Sequence, residues 1–275
     1  MNPDVRRRLE AAARRERVIL ATDFDGCLAP FVEDPMTARP APGTMATLRA
    51  AAELPGVTVA LVSGRGMAVL RELAGVEPAE KIVIIGSHGA ESSLSDEAQE
   101  SLLSREQRDL MAATDEALTG IAARYDGAWV ERKVAGVALH TRTMADQEAG
   151  ERALDEARAY GEDRPQLHVM SGKCVVEFPV LTATKGSALR RLAELTKTDV
   201  TVYLGDDVTD ERAFEVLDGE RGDVSIKVGT GDTAAVCRVD SIEEVPEVLR
   251  AFVTARRDRD ATAPAGSSQG DPASS

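Results

Sequence analysis

Cysteine is scarce in this chain. Cys27, Cys174 and Cys237 are the only three among 275 residues, and they stand far apart. With no C-x-x-C pair they offer neither a disulfide framework nor a zinc site, and they fit a reducing cytoplasm. Positive charge is short as well. The 47 acidic against 33 basic residues leave a net charge of -14, which argues against a nucleic-acid partner and against an anionic membrane surface. An anionic substrate would need local cations to overcome that field. Long apolar runs are also missing, since none approaches the roughly 18 residues of a membrane span. The opening VRRRLEAAARRERV lacks the apolar stretch of a secretory leader, so neither export nor anchoring is expected. With Glu10 and Glu16 interleaved among its arginines, it reads as a solvated helix.

What is present is ample for a core. At 43% hydrophobic, the length suits one large domain or a domain carrying an insert. Val18 to Ala21 is an apolar run of the kind a strand buried on both faces requires. A Pro-rich stretch over 29–42 reads as a flap. A helix from Thr44 to Leu54 stops at Pro55-Gly56, Val57 to Val62 is a second strand, a helix covers Met67 to Leu73, and Ile82 to Ile85 is a third strand. This β-α-β order predicts a parallel sheet, an α/β Rossmann-like fold.

From Ser92 the composition turns polar, and an α+β insert over 92–178 is expected. It comprises a helix from Ser104 to Tyr125, a hairpin of Ala128–Lys133 and Val137–Arg142, a helix from Gln147 to Tyr160, and strands Leu167–Met170 and Lys173–Phe178 around Ser171-Gly172. The core, begun over 1–91, resumes over 179–260 with a helix from Thr184, a strand Val200–Leu204, a helix Arg212–Leu217, a last strand Val224–Val228 and a last helix Ile242–Phe252. From 261 the Ala-, Pro-, Gly- and Ser-rich composition predicts a disordered tail.

Asp23 and Asp25 close the first strand. Alternation along a strand puts both carboxylates on one side, and Gly26 lets the chain turn away. Two like charges this close need a cation or a shared proton, although the pair also suits a simple turn cap. Ser63 reaches the same sheet edge from the second strand, just before a helix whose N-terminus favours anions; it also suits the N-cap of that helix. Asp206, Asp207, Asp210 and Glu211 follow the strand Val200–Leu204. Acids there can cap a helix, but so many carboxylates sharing one crevice call for a cation, and oxygen ligands without nearby His or Cys point to Mg²⁺. Lys185, at a helix start, can aim an ammonium into the same crevice or rest in solvent. Together these groups form an inventory for phosphoryl transfer.

DFDG at 23–26, Ser63, Lys185 and GDDVTDE at 205–211 resemble, in order and spacing, the four motifs of the haloacid dehalogenase superfamily, and the insert resembles its C2-type cap. SGR at 63–65, GSHGAE at 86–91, ER-K at 131–133 with H-x-R at 140–142, and GK-x-V-x-E at 172–177 are similar to the trehalose-6-phosphate phosphatase family. That resemblance implies Asp23 as nucleophile and Asp25 as general acid and base, with Ser63 and Lys185 holding the phosphoryl oxygens. It implies Mg²⁺ at Asp23, Asp25 and Asp206, with Asp207 and Asp210 as further ligands or supporting groups. Gly26, Gly64, Arg65 and His88 would line the substrate site, and Glu131, Lys133, His140, Arg142, Lys173 and Glu177 would grip sugar hydroxyls from the cap. A charged outer face of a small sheet is the other account of Glu131 and Arg142, and a hydrogen bond within the hairpin that of His140. The chain departs from the family at Cys27, where Thr is usual, and at Phe178, where Arg is usual. A phosphatase of another sugar phosphate, of the sucrose phosphate or mannosyl-phosphoglycerate type, and a non-catalytic sugar-phosphate-binding module are the rival readings. With no room for a fused glycosyltransferase, a trehalose-phosphate synthase upstream is expected to be a separate protein.

Overall fold

The computed structural model describes residues 1–94, 105–133, 136–172, 174–180 and 183–262. Its larger sheet grows outward from β1 (Val18–Thr22). On one side lie β2 (Val57–Val62) and β3 (Ile82–Gly86), with β4 (Glu91–Ser92) as an antiparallel edge; on the other lie β9 (Val200–Gly205), β10 (Val224–Val228) and β11 (Cys237–Val239). Every other pairing in this sheet is parallel. Val18 and Leu20 enter one apolar cluster while Ile19 and Ala21 enter the other, which is why the run is unbroken rather than alternating. The first cluster is closed by α1 (Pro3–Ala13), α2 (Thr44–Ala52), α3 (Met67–Ala74) and α8 (Val245–Thr262), the second by α6 (Lys185–Thr196) and α7 (Val208–Phe214). The chain leaves β1 toward β2 and later returns on its other flank at β9. The carboxyl end of β1 is therefore the switch point, where such sheets open a crevice.

A second sheet, in the order β5-β6-β8-β7, is antiparallel throughout: β5 (Trp129–Lys133), β6 (Gly136–His140), β7 (Met170–Gly172) and β8 (Val175–Pro179). Its apolar face, including Val137, Leu139, Val176 and Phe178, packs on Leu118 and Ile121 of α4 (Arg105–Ala122) and on Ala153, Leu154 and Ala157 of α5 (Gln147–Glu162). The α-β-β-α-β-β order is the one expected.

Several details differ from expectation. β4 and β11 are two and three residues long, too short to show a period, so the sheet has an antiparallel edge and Val224–Val228 is not its last strand. β7 lies three residues later than expected because Arg164 and Leu167 are drawn into the turn after α5, and the hairpin turns at Cys174, with φ of 62°, rather than at Ser171-Gly172. α7 starts at Val208, not Arg212, because Asp207 and Asp210 form a capping box there. α8 runs through Thr262, so the first two residues of the expected tail are helical. The rest of that tail lies outside the described residues.

The amino ends of β1 and β2, opposite the crevice, are fastened by Arg256. Its side chain is fully buried, and its guanidinium donates to the carbonyls of Ala13, Arg15, Glu16 and Pro55. It thus ties α8 to the ends of α1 and α2. Replacing Arg256 by Met would strip donors from four carbonyls at once, and each buried orphan costs roughly 1–3 kcal/mol. Arg256→Met is therefore expected to lower stability by at least about 3 kcal/mol, seen as a reduced urea midpoint with an unchanged slope. A midpoint equal to that of the parent would mean the clamp contributes nothing.

Candidate active site

Lys185 is the first residue of α6, and the box between Thr184 and Ser187 fixes where that helix begins. Its Nζ lies 2.7 Å from Asp23 Oδ2 and 2.8 Å from Asp210 Oδ1, and all three side chains are buried. Burial alone would push the ammonium pKa down, but the charges of Asp23 and Asp210 more than reverse it, and Lys185 ends above the ordinary lysine value. Asp23 moves the other way from a free carboxyl: burial, then the charge of Asp210, raise its pKa against the pull of Lys185. The Asp23 backbone N–H donates to Leu204 O, which anchors it beside β9, and its Oδ1 accepts the Phe24 amide at 2.6 Å.

Asp210 is surrounded by donors. Oδ1 accepts from Lys185 and, at 2.5 Å, from the Tyr203 hydroxyl; Oδ2 accepts from the amides of Asp206 and Asp207 at 2.9 and 3.1 Å. Its oxygens are thus occupied in shaping the acidic loop and holding Lys185. Asp207 is also committed, accepting from Thr209 and Asp210 amides at the start of α7. Asp206 is different. No hydrogen bond among the described residues reaches its carboxylate, and burial, then the charges of Asp210 and Asp207, push its pKa up to about 6. It stands against the turn after β1: a Cβ on Gly26, whose φ is +72°, would meet Asp206 Oδ2 at 2.1 Å. Oxygens of Asp23, Asp206 and Asp210 lie within 4.8 Å of one another, a grouping that suits a hard cation. Lys227 steadies the same loop, donating to Asp206 O and lying 3.7 Å from Glu211.

Asp25 takes another partner. β1 ends at Thr22, so strand alternation no longer governs it, and its carboxylate faces Arg65 beyond β2. Nε and Nη2 donate to its two oxygens at 2.6 and 2.7 Å, while Nη1 reaches Pro35 O in the Pro-rich loop. Ser63 is buried at the end of β2, accepting the Arg65 amide at 3.2 Å; it does not cap α3, whose N-cap is Gly66. The first amide of α3 is already taken by Glu91, which also accepts from Ser87. His88 holds a left-handed backbone, φ 56°, and its ring lies where a Cβ on Gly64 would come within 2.5 Å. Burial, then the Lys185 charge, lower its pKa.

The second sheet contributes its polar face. Lys133 Nζ lies 2.7 Å from Glu177 and 3.9 Å from Glu131, and Glu131 Oε2 lies 2.8 Å from His140 Nε2. Arg142 is exposed in the turn after β6, apart from these pairs. Lys173 lies outside the described residues. Phe178 is buried on the opposite, helix-facing side of β8, edge-on to Tyr160, so its departure from the family does not alter the polar face. Cys27 is fully buried in the main core.

Two residues of this site were not picked out from sequence, although a signal existed for each. Tyr203 is the one hydroxyl-bearing aromatic in the strand that leads to the acidic loop. Trp129 shares the period-2 register of Glu131 and Lys133, and its ring stacks on His140 at 4.3 Å.

A sequence model of the trehalose-phosphatase family matches residues 21–242. The chain is 38% identical over 211 residues to a trehalose-phosphate phosphatase of Mycobacterium avium, covering 72% of this chain and 50% of that one. It is 31% identical over 277 residues to "Probable trehalose-phosphate phosphatase 9" of Oryza sativa subsp. japonica, covering 90% of this chain and 72% of that one. The chain thus spans about half the length of the mycobacterial relative. Among solved structures, trehalose-6-phosphate phosphatase of Aspergillus fumigatus superposes with a TM-score of 0.63 at 25% identity, over 91% of this chain and 97% of the other. The acidic crevice, the buried lysine and the match along most of the sequence agree: the chain belongs to the trehalose-phosphatase family, with the fold of the haloacid dehalogenase group.

Proposed function

We propose that this chain is a Mg²⁺-dependent phosphomonoesterase that converts trehalose 6-phosphate to trehalose and phosphate. The observation that supports it most directly is the ammonium of Lys185 held between Asp23 and Asp210 in a buried crevice, since a carboxylate aligned beside a fixed cation is what attack on a phosphoryl dianion requires. Asp23 attacks phosphorus in line, its bond to the carboxylate oxygen forming as the bond to the sugar oxygen breaks. Asp25, released from Arg65 and protonated from solvent, gives that oxygen its proton. Water then attacks the aspartyl-phosphate, Asp25 takes back a proton, and phosphate leaves. For this work Asp25 must exchange its contact with Arg65 for the leaving oxygen, so Arg65 sets where the acid rests between steps. Ser63 and Lys185 hold the phosphoryl oxygens.

The donor set fits a divalent cation. Asp206 carries a carboxylate with no hydrogen-bond partner among the described residues, and burial, then the charges of Asp210 and Asp207, push its pKa to about 6, which a bound cation would offset. Asp23, Asp206 and the Asp25 carbonyl would hold Mg²⁺, while Asp207 and Asp210, occupied by their own hydrogen bonds, support the loop. The ion supplies charge neutralisation at the phosphoryl group. In this reading residues 92–178 form the cap, and its polar face grips the sugar with Glu131, Lys133, His140 and Glu177, while residues 1–91 and 179–260 form the core. A trehalose-phosphate synthase activity would supply the substrate in the cytoplasm. No helix among the described residues is long and apolar enough to cross a membrane.

Phosphate release from trehalose 6-phosphate is expected to need Mg²⁺, to cease in excess chelator, and to fall by at least about 10³-fold in Asp23→Asn. Full turnover in that variant, with deamidation excluded, would refute the nucleophile. Because a proton competes with the cation at Asp206, the Mg²⁺ concentration giving half activation should rise as pH drops through about 6. The same raised pKa has a stability consequence. Its ionised form is disfavoured in the fold, so the cost is absent below the unfolded carboxyl value and complete above about 6. Without divalent cations, Asp206→Asn should therefore raise Tm at pH 7 by a few degrees and leave it nearly unmoved near pH 3. A lower Tm at pH 7 would contradict the electrostatic account.

A further inference from the structure

We infer that Trp129 is the stacking platform for the sugar ring that carries no phosphate, a specificity determinant for the disaccharide. This inference rests on the proposed sugar-phosphate hydrolysis and names a further part of that site. Trp129 is an anomaly on its face of the second sheet. Glu131, Lys133, His140 and Glu177 around it are polar and paired with one another, whereas the indole is 45% exposed and its N–H has no partner among the described residues. One face of the ring is covered by His140, nearly parallel at 9° with centroids 4.3 Å apart. That contact fixes the plane of the indole and leaves its other face open, so little side-chain freedom remains to be lost on binding. Aromatic rings held this way suit the apolar C–H face of a pyranose, with the indole N–H free for a hydroxyl.

Position selects which sugar. Lys133 closes β5 and is tied to Glu177 and Glu131. Trp129 stands four residues along the same strand, about 13 Å away at the usual rise. A phosphorylated ring near Lys133 and a second ring over Trp129 would span that distance; a monosaccharide phosphate would not. The neighbouring Glu131 and Glu177 accept from hydroxyls at the ring edge, so the platform adds an apolar floor to polar walls, as sugar and other small-molecule sites generally combine the two.

Trp129 is the chain's sole tryptophan, so its emission reports on this position alone. Trehalose, which has no phosphate, titrated into the unmodified protein should change that emission saturably. Trp129→Ala should lower kcat/KM for trehalose 6-phosphate about tenfold more than it does for glucose 6-phosphate, through KM more than kcat, and Trp129→Phe should recover part of the loss. If trehalose leaves the emission unchanged up to saturation of product inhibition, or both variants lose the two activities in equal proportion, the platform is refuted while hydrolysis of trehalose 6-phosphate stands. If the unmodified protein releases phosphate from neither ester, the proposed function falls first, and a silent trehalose titration then removes the platform as well.

Discussion

A lysine buried at the carboxyl edge of a parallel sheet is the constraint on which the rest of the site depends. Lys185 can stay charged in that position only because Asp23 and Asp210 face it from two directions. Each partner is fixed by a different part of the chain: Asp23 by the end of β1 and its amide bond to β9, Asp210 by the Tyr203 hydroxyl and the first turn of α7, Lys185 by the cap of α6. Losing either carboxylate would take from the buried ammonium one of the two acceptors that hold it. The packing that folds the protein therefore also sets the proposed nucleophile, Asp23, beside a buried cation.

The same logic extends across a strongly acidic molecule. Its net charge of -14 opposes an anionic substrate, yet the crevice gathers Lys185, Arg65 and Lys227, each held against acids or carbonyls rather than free in solvent. Asp206 is the exception on the acidic side, having no comparable partner. At the opposite end of the strands, Arg256 does for carbonyl oxygens what Lys185 does for carboxylates. Both cations are buried, and both secure the ends of β1, the strand whose termini set the depth of the crevice.

Much of this was legible in the residues because long apolar runs and strand-end acids leave strong signals. The central strands β1, β2, β3 and β9, the position of Lys185 at a helix start and the acidic loop after β9 follow from periodicity and capping chemistry. Pairing beyond the ends of elements was not legible. Strand alternation suggested that Asp23 and Asp25 share one side, but β1 stops before either, and the turn that follows sends Asp25 to Arg65. Asp210 read as one acid among several, since four donors from three separate places in the chain meet only in the fold. β4 and β11 were too short to carry a pattern, and β7 depended on where the turn after α5 ended.

The central claim is that Asp23 forms a covalent bond to phosphorus. Acid quenching of the protein during turnover of trehalose 6-phosphate, followed by borohydride reduction and peptide mass analysis, reads this directly, because an acyl phosphate is reduced to the alcohol and its aspartate becomes homoserine. The account predicts homoserine at position 23 and nowhere else, dependent on substrate and on Mg²⁺. Reduction at another carboxylate, or none while phosphate is being released, would contradict it.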